Sequence, residues 1–427
     1  MGGWDAMKKF FSERLEERKI HLWFKENILT IIFSFFVIFA FLLSSKVPVH
    51  FFMDELEIRV LRSAFLVLSL VIPVVAGLGL NFGIVIGAMA GQIAVIIACY
   101  YGFGKVSGLL FCFAISLPIA ALLGYLLGLL YNRAKGREMI VGLIAVYIAN
   151  SVCQFISLNI FGPIIKLNTA NPVVNVGGML NASIKLIPAQ DGGLRNALDN
   201  ILKVPFMNAV LIAAFVILLI ILLKNKKSND IKNIAFYTKI AICTIIIIIS
   251  ACSIVTFNSF MRMNRAPVVT VLLIFFMYVF NELIMKTKLG HDFRMIGQNQ
   301  DIVESPMINV NRTRIIATVI STVAAAWGQI ISLQSMDSIN TYGASNQIGF
   351  FSIAALLIGG ATTSKASSFN AIIGALLINS IFILLPKVGE TVFKNTILGS
   401  SLFQFIIYGV ILYSLTRVKE SKNNEKV

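Results

Sequence analysis

Long apolar stretches, separated by short polar connections, run through most of the chain. A helix that crosses a bilayer needs about 20 mostly apolar residues. By that criterion the pattern predicts ten membrane-spanning helices, near residues 28–45, 58–78, 84–101, 107–131, 139–161, 204–223, 235–257, 267–285, 315–333 and 397–415. We therefore expect an all-α, polytopic membrane bundle in which residues 28–415 form a single transmembrane domain.

One further apolar stretch, 350–386, is interrupted by the polar run GGATTSKASS at 359–368. Its first arm, from Gly349 to Ile358, is too short to cross a bilayer. Irregular backbone at membrane depth occurs only where protein or a water-filled cavity surrounds it. The pattern therefore predicts a re-entrant or broken-helix hairpin.

Composition narrows the function classes. Of 427 residues, 57% are hydrophobic and 13% are charged, and the mean hydropathy is +0.85. Soluble proteins average about 25% charged residues, so a soluble enzyme, a disordered regulator and a disulfide scaffold are excluded. The net charge of +16 does not indicate nucleic-acid binding, because the basic residues lie between apolar segments. The five cysteines lie inside apolar runs, where they behave as small hydrophobic residues.

The placement of Lys and Arg predicts the orientation in the membrane. Of the 36 basic residues, 22 lie in five regions that ten spans would place on one side, namely the N-terminal tail 1–27, 132–138, 224–234, 286–314 and the C-terminal tail 416–427. We therefore expect a multi-pass membrane protein with both termini in the cytoplasm. The connection 162–203 is then extracytoplasmic and 286–314 is cytoplasmic.

The predicted spans lack the residues of an enzyme. Acidic residues lie in tails, in loops or near span ends, as Glu138 and Glu282 do, and the three histidines lie outside the spans. Charges kept at the bilayer centre usually mark ion or proton pathways. We expect no catalytic residue, metal site or cofactor. Because the chain also lacks the phosphate-binding pattern G-x-x-x-x-G-K-[ST], any ATP hydrolysis belongs to another polypeptide.

The polar segment LGHDFRMIGQNQDIVESPMINVNRTR, residues 289–314, is the most distinctive in the chain. Its apolar positions predict a short helix with one face against the membrane domain or a partner, and they are Phe293, Ile296, Ile302 and Val303. Pro306 would end that helix. Composition alone leaves an ordinary solvated loop as the alternative.

This segment resembles the cytoplasmic loop of permease subunits of ABC importers in the ribose, galactoside and nucleoside group, which is related to branched-chain amino-acid permeases. The matching residues are Gly290, Arg294, Gly297, Asn299, Ile308, Asn309, Val310 and Arg312. The chain departs from the family pattern at Asp301, Ile302 and Met307.

Two further stretches are similar to the same family. Residues 352–378 resemble its apolar run with a Gly-Gly-Thr turn, through Gly359, Gly360, Thr362, Thr363, Gly374 and Ala375, with Lys365-Ala366-Ser367 in place of the usual glycines. Residues 77–94 resemble its first broken helix, through Gly79, Asn81, Phe82, Gly83 and Gly87.

The resemblance implies a mechanism. Two permease subunits, identical or paralogous, would form the pathway in the lipid bilayer, and two ABC ATPases would dock on their cytoplasmic face. The helix in 290–306 would couple ATP hydrolysis to the spans. An extracytoplasmic solute-binding protein would deliver the solute.

The resemblance places broken helices at 79–83 and 359–368, and unwound backbone there should face the pathway or a subunit seam. The candidate residues for the pathway or the breaks are Asn81, Phe82, Gly83, Gln92, Gly359, Gly360, Thr362 and Thr363. Hydrogen bonding between helices, and close packing at Gly83, Gly87 and Gly91, are the structural alternatives.

The lack of intramembrane charge favours a neutral solute such as a sugar or a nucleoside. Two other functions remain open from the sequence. One is an ion-coupled secondary transporter that uses the broken helices. The other is a membrane scaffold that holds a cytoplasmic partner through 286–314.

Overall fold

The computed structural model describes residues 27–44, 47–161, 163–205, 208, 244, 265–298, 309–342 and 344–424. Within these residues, eight helices are long and apolar enough to cross a membrane, which confirms a polytopic helical membrane protein. Several predictions fall outside the described residues: most of the N-terminal tail, the spans 204–223 and 235–257, and the loop residues 299–308.

Twelve helices lie in the described part, and their bounds are α1 Ile28–Leu43, α2 Val49–Leu68, α3 Val71–Val75, α4 Ile84–Tyr101, α5 Lys105–Arg133, α6 Glu138–Phe155, α7 Val268–Lys286, α8 Lys288–Gln298, α9 Val310–Gln334, α10 Ala344–Ile358, α11 Ser368–Phe393 and α12 Thr396–Asn424. A π turn, Ile156–Ile160, extends α6. Four three-residue strands are β1 Ser183–Lys185, β2 Lys203–Pro205, β3 Arg265–Pro267 and β4 Ser338–Asn340. β1 pairs antiparallel with β4, and β2 with β3.

Helix α9 lies at the centre of the bundle and packs against α4 and α5. A Cβ atom at Gly87 would lie 2.3 Å from the carbonyl oxygen of Thr322, and one at Gly91 would lie 2.3 Å from that of Ala326. Small residues let helix backbones approach this closely in a membrane. The glycines of α4 therefore serve helix packing, the structural alternative that the sequence left open.

The second predicted span, 58–78, is wrong at both ends, because the helical span covers Val49–Val75. Its first turns carry acidic residues that the predicted start at 58 leaves outside the span. Two of its charged groups have partners: Glu55 forms an ion pair with Arg59 at 2.7 Å, and the Arg62 Nε donates to the Ser335 hydroxyl at 3.1 Å. A hydropathy profile scores each charged residue separately, so it takes no account of the ion pairs and hydrogen bonds that charged side chains form in the folded protein.

The interrupted stretch consists of the 15-residue helix α10 and the 26-residue helix α11. The break at 359–367 confirms the predicted interruption. The second arm runs to Phe393, beyond the expected end at 386, and is long enough to cross a membrane. The hairpin therefore pairs one short arm with one full-length arm.

The two ends of the bundle differ in the elements that they carry. The cap end carries the connection 163–205 together with β4, where the Tyr342 hydroxyl donates to the Leu180 carbonyl at 3.0 Å. Burial raises the pKa of Tyr342, which disfavours the phenolate further. The opposite end carries α8, and we call it the α8 end.

Candidate functional site

The chain leaves helical geometry between α3 and α4, in a buried segment that we call the core break, residues 76–83. Gly79 has a φ of +65°, in the left-handed region that glycine adopts without strain. Before the core break, at the junction of α2 and α3, the Asn281 amide donates to the Leu68 carbonyl at 2.9 Å. The helical span ends at Val75, short of the predicted 78.

Asn81 holds the core break to two neighbouring helices. Its side-chain oxygen accepts from the Tyr131 hydroxyl at 2.8 Å and from the Gly83 amide at 2.9 Å. Its side-chain nitrogen donates to the Ser321 hydroxyl at 3.3 Å. Asn81 is 1% exposed, so its side chain belongs to a buried network that joins α4, α5 and α9.

The other predicted residues of α4 and the core break also have defined contacts. The Phe82 ring lies edge-on to the Phe350 ring of α10, with centroids 5.4 Å apart. A Cβ at Gly83 would lie 2.2 Å from a methyl carbon of Leu127. The Gln92 amide donates to the Asn340 carbonyl at 2.7 Å, so it ties α4 to the cap end. Phe82 thus links the core break to the hairpin.

The turn at 359–367 is built from its own polar groups. Gly360 has a φ of +91°, and the Asn370 amide donates to the Gly359 carbonyl at 2.6 Å. The Thr362 hydroxyl accepts from the Lys365 amide at 3.0 Å, and Thr363 is half-buried. The turn also packs on α1, where the Thr30 hydroxyl donates to the Ile358 carbonyl at 2.9 Å. The core break is therefore bonded to α5 and α9, whereas the turn at 359–367 packs on α1.

Helix α8 is amphipathic, as the sequence predicts for its first half. Phe293 and Ile296 are fully buried, whereas Leu289 is 38% exposed and Met295 is 41% exposed. The Arg294 guanidinium donates to the Met285 carbonyl at 3.0 Å, at the end of α7. The helix thus has one face packed on the bundle and one free face with apolar side chains.

Two glycines set the position of α8. A Cβ at Gly290 would lie 2.3 Å from the Ile284 carbonyl oxygen, so the turn out of α7 needs a residue without a side chain. A Cβ at Gly297 would lie 2.2 Å from the Val75 carbonyl oxygen and 3.3 Å from the Gly77 nitrogen. The end of α8 therefore touches the start of the core break.

The residues after α8 have structural roles where they are described. Asn309 caps α9, because its side-chain oxygen accepts from the Arg312 amide at 3.0 Å. Val310 is half-buried and Arg312 is exposed. Asn299 and Ile308 lie outside the described residues, as does the part of the predicted helix beyond Gln298.

A buried ion pair at the α8 end was not foreseen. The Arg314 guanidinium donates to the Glu138 carboxylate, which also accepts from the Gly136 amide at 2.9 Å. Arg314 is 1% exposed and Glu138 is 7% exposed. The sequence spacing of Arg312 and Arg314 indicates the burial of Arg314, because side chains two residues apart on a helix point about 200° apart. Arg314 therefore points away from the exposed Arg312, into the bundle.

The fold and these contacts define a class: a polytopic helical membrane protein in which a short amphipathic helix at one end touches an interrupted span. The chain belongs to the family described as branched-chain amino acid transport system / permease component, which matches residues 56–415. It is thus a permease component, and the resemblance is confirmed at family level. The comparisons with curated proteins and with solved structures find no match.

Proposed function

We propose that this chain is the membrane-spanning subunit of an ABC importer that moves a small neutral solute, of the sugar or nucleoside class, with energy from a separate ATPase. The observation that carries the proposal is the contact of Gly297 with the backbone of Val75 and Gly77. It joins the short amphipathic helix α8, which has exposed apolar side chains, to an interrupted span. Family membership supports the same function.

The contacts suggest how motion passes into the bundle. An ATPase that grips the exposed side of α8, at Leu289, Arg294 and Met295, would push a helix whose other side is fully buried. Closely packed interiors transmit displacement because they compress little. The push would reach the core break through Gly297, and the Asn81 network would pass it to α5 and α9. Such a step fits rigid-body rocking between two states.

The proposed assembly has two permease subunits and two cytoplasmic ATPases at the α8 ends. A solute-binding protein sits at the cap ends, outside the cytoplasmic membrane of a prokaryote. The basic connections support this orientation, since 286–314 contains α8 and both tails are basic.

A neutral solute is favoured by the polar residues inside the bundle. Gln329 is fully buried in α9, and both its amide atoms lack a hydrogen-bond partner in the described part of the chain. Buried polar groups are rarely left unpaired, so Gln329 is a candidate to meet a polar solute in another state of the transport cycle.

Co-purification and uptake measurements distinguish the proposed ABC importer from an ion-coupled secondary transporter. The chain should co-purify with an ATPase whose activity rises when the solute and its binding protein are added in proteoliposomes. Adding a sodium gradient without ATP should produce no uptake. Uptake by the purified chain alone, driven by a sodium gradient, would establish a secondary transporter instead. A bound partner without any uptake would indicate a scaffold.

A further inference from the structure

Basic side chains gather at the α8 end, where a loop of four residues, 134–137, joins α5 to α6. The Asn132 amide at the end of α5 donates to the Asn311 carbonyl at 2.9 Å, so this loop lies beside the start of α9. Four exposed basic residues at the junction form what we call the basic patch, namely Arg133, Lys135, Arg137 and Arg312.

The loop that carries the basic patch has a defined backbone. The Ala134 amide donates to the Leu130 carbonyl at 3.1 Å, and the Arg137 amide donates to the Ala134 carbonyl at 2.8 Å. Gly136 has a φ of +79°, which lets the chain reverse direction within four residues. The positive charges are therefore attached to an ordered turn.

The charge of the basic patch is not balanced by acidic neighbours. Residues 128–142 contain a single acidic residue, Glu138, and residues 309–318 contain none. Glu138 is buried, and its carboxylate accepts from the Arg314 guanidinium and from the Gly136 amide. Because that carboxylate is paired inside the bundle, the four outward-facing cations have no exposed acidic residue in these two stretches.

The basic patch continues into exposed apolar surface. Leu130 of α5 is 42% exposed and Ile140 of α6 is 62% exposed, and each lies three residues from a cation of the patch. One turn further along, Leu126 and Ile144 are also exposed. Three residues advance a helix by only about 4.5 Å, so the cations lie directly at the edge of a surface suited to lipid acyl chains.

We propose that the basic patch binds the headgroups of anionic phospholipids, whose acyl chains lie along α5 and α6. Arginine matches the oxygens of a phosphodiester with several donors, and basic residues beside a membrane attract anionic lipids. An acidic protein surface would match the charges, but it would not cover the apolar faces within the membrane. The general excess of Lys and Arg in cytoplasmic connections explains the cations but not the inward pairing of Glu138. Such a site is independent of the solute that the chain moves.

Native mass spectrometry of the full-length chain, purified in an uncharged detergent, tests the proposal. The chain is mixed with equal amounts of dioleoylphosphatidylglycerol and dioleoylphosphatidylcholine, which have the same acyl chains but different headgroup charge. We expect the retained lipid to be mostly phosphatidylglycerol. The triple variant Arg133→Gln, Lys135→Gln, Arg137→Gln should lower the ratio of retained phosphatidylglycerol to phosphatidylcholine about fivefold or more.

The matched control removes three exposed positive charges from the cap end, in the triple variant Lys166→Gln, Lys185→Gln, Lys203→Gln. It should retain the two lipids in the wild-type ratio. Without added lipid, both triple variants should melt at the wild-type temperature, because the substituted side chains are exposed. Phosphatidylglycerol should raise the melting temperature of the wild type and of the cap variant more than that of the patch variant.

A single variant guards against misfolding of the triple variant. Lys135→Glu changes an exposed loop position outside both helices, and it should shift the lipid ratio in the same direction. An unchanged ratio in both patch variants would overturn the proposal, as would equal retention of the two lipids by the wild type.

Two further results would replace the lipid with another ligand. Displacement of phosphatidylglycerol by an equal concentration of glycerophosphoglycerol, the same headgroup without acyl chains, would indicate a site for soluble phosphodiesters. Loss of a co-purifying ATPase from the patch variant, with the lipid ratio unchanged, would indicate a surface that holds a protein. Either result refutes the lipid site and leaves the proposed transport function standing.

Discussion

At the scale of single residues, Gly297 is the most sensitive position of the proposed coupling. Adding one methyl group in Gly297→Ala would place a carbon 2.2 Å from the Val75 carbonyl oxygen, so α8 must move away from the core break. We expect transport to fall at least tenfold, while membrane insertion and ATPase binding persist. Solute uptake and co-purification of the ATPase measure the two effects.

Gly409→Ala is the matched control, because a Cβ there meets no atom of the described residues within 4 Å. It should transport as the wild type does. Equal transport by both variants would contradict the coupling role of the contact between α8 and the core break.

Asn81 should matter for stability. Asn81→Leu leaves the Tyr131 hydroxyl, the Gly83 amide and the Ser321 hydroxyl with one partner fewer inside the bundle. Leaving buried polar groups unpaired costs about 1–3 kcal/mol, so the melting temperature in detergent should drop clearly.

Asn159→Leu is its control, since Asn159 is exposed and, among the described residues, its side chain bonds to the Phe155 carbonyl of its own helix, at 3.3 Å. Its melting temperature should stay near that of the wild type. An equal drop in both variants would mean that the buried network around Asn81 contributes no special stability.

Sequence reasoning located several of these residues but not their partners. Asn81 and Gln92 stood out because amides are uncommon in apolar stretches. Their partners could not be predicted, because Tyr131, Ser321 and Asn340 are distant in the chain and meet them only after the helices pack. The sequence shows that Asn81 and Gln92 are polar, but it does not show whether they line a pathway or form hydrogen bonds between helices.

At the scale of elements, hydropathy predicted most helices closely. The span predicted at 84–101 is α4, Ile84–Tyr101, and the span at 267–285 is α7, Val268–Lys286. The error at α2 has a physical cause, since paired charges in its first turns lower the hydropathy without ending the helix. The amphipathic α8 was predictable because Phe293 and Ile296 are spaced to share one face.

The ion pair between α6 and α9 gives a prediction for two elements together. Arg314→Met leaves the Glu138 carboxylate buried without its charged partner. Removing one member of a buried pair costs about 3–5 kcal/mol, so the variant should melt far below the wild type.

The double variant Arg314→Met with Glu138→Gln removes both charges. It should recover much of the lost stability, because the unpaired buried charge is the main cost. Thermal unfolding of the wild type, both single variants and the double variant gives the coupling between the two residues. Simple additivity of the single losses would show that the two side chains stabilise the bundle independently.

At the scale of the whole molecule, α9 connects the two ends of the bundle. Near its start, Arg314 lies beside Glu138, at the α8 end, and at its end the Gln334 carbonyl accepts from the Asn196 amide of the cap end, at 2.6 Å. In between, Ser321 bonds to Asn81 of the core break. A displacement of α8 that reaches the core break would thus act on a helix that runs to the cap end. This continuity would give the proposed ATP-driven motion a route from the α8 end to the cap end.

That route requires the α8 end to face the ATPase, so the orientation is a prediction of its own. In a variant whose native cysteines are replaced, Asp191→Cys in the exposed cap and His291→Cys on the exposed face of α8 lie at opposite ends of the bundle. A membrane-impermeant maleimide added to intact cells should label position 191. Position 291 should be labelled only after the cells are permeabilised, because the basic connections favour the cytoplasm. The reverse pattern would place α8 outside the cell, beyond the reach of any cytoplasmic ATPase.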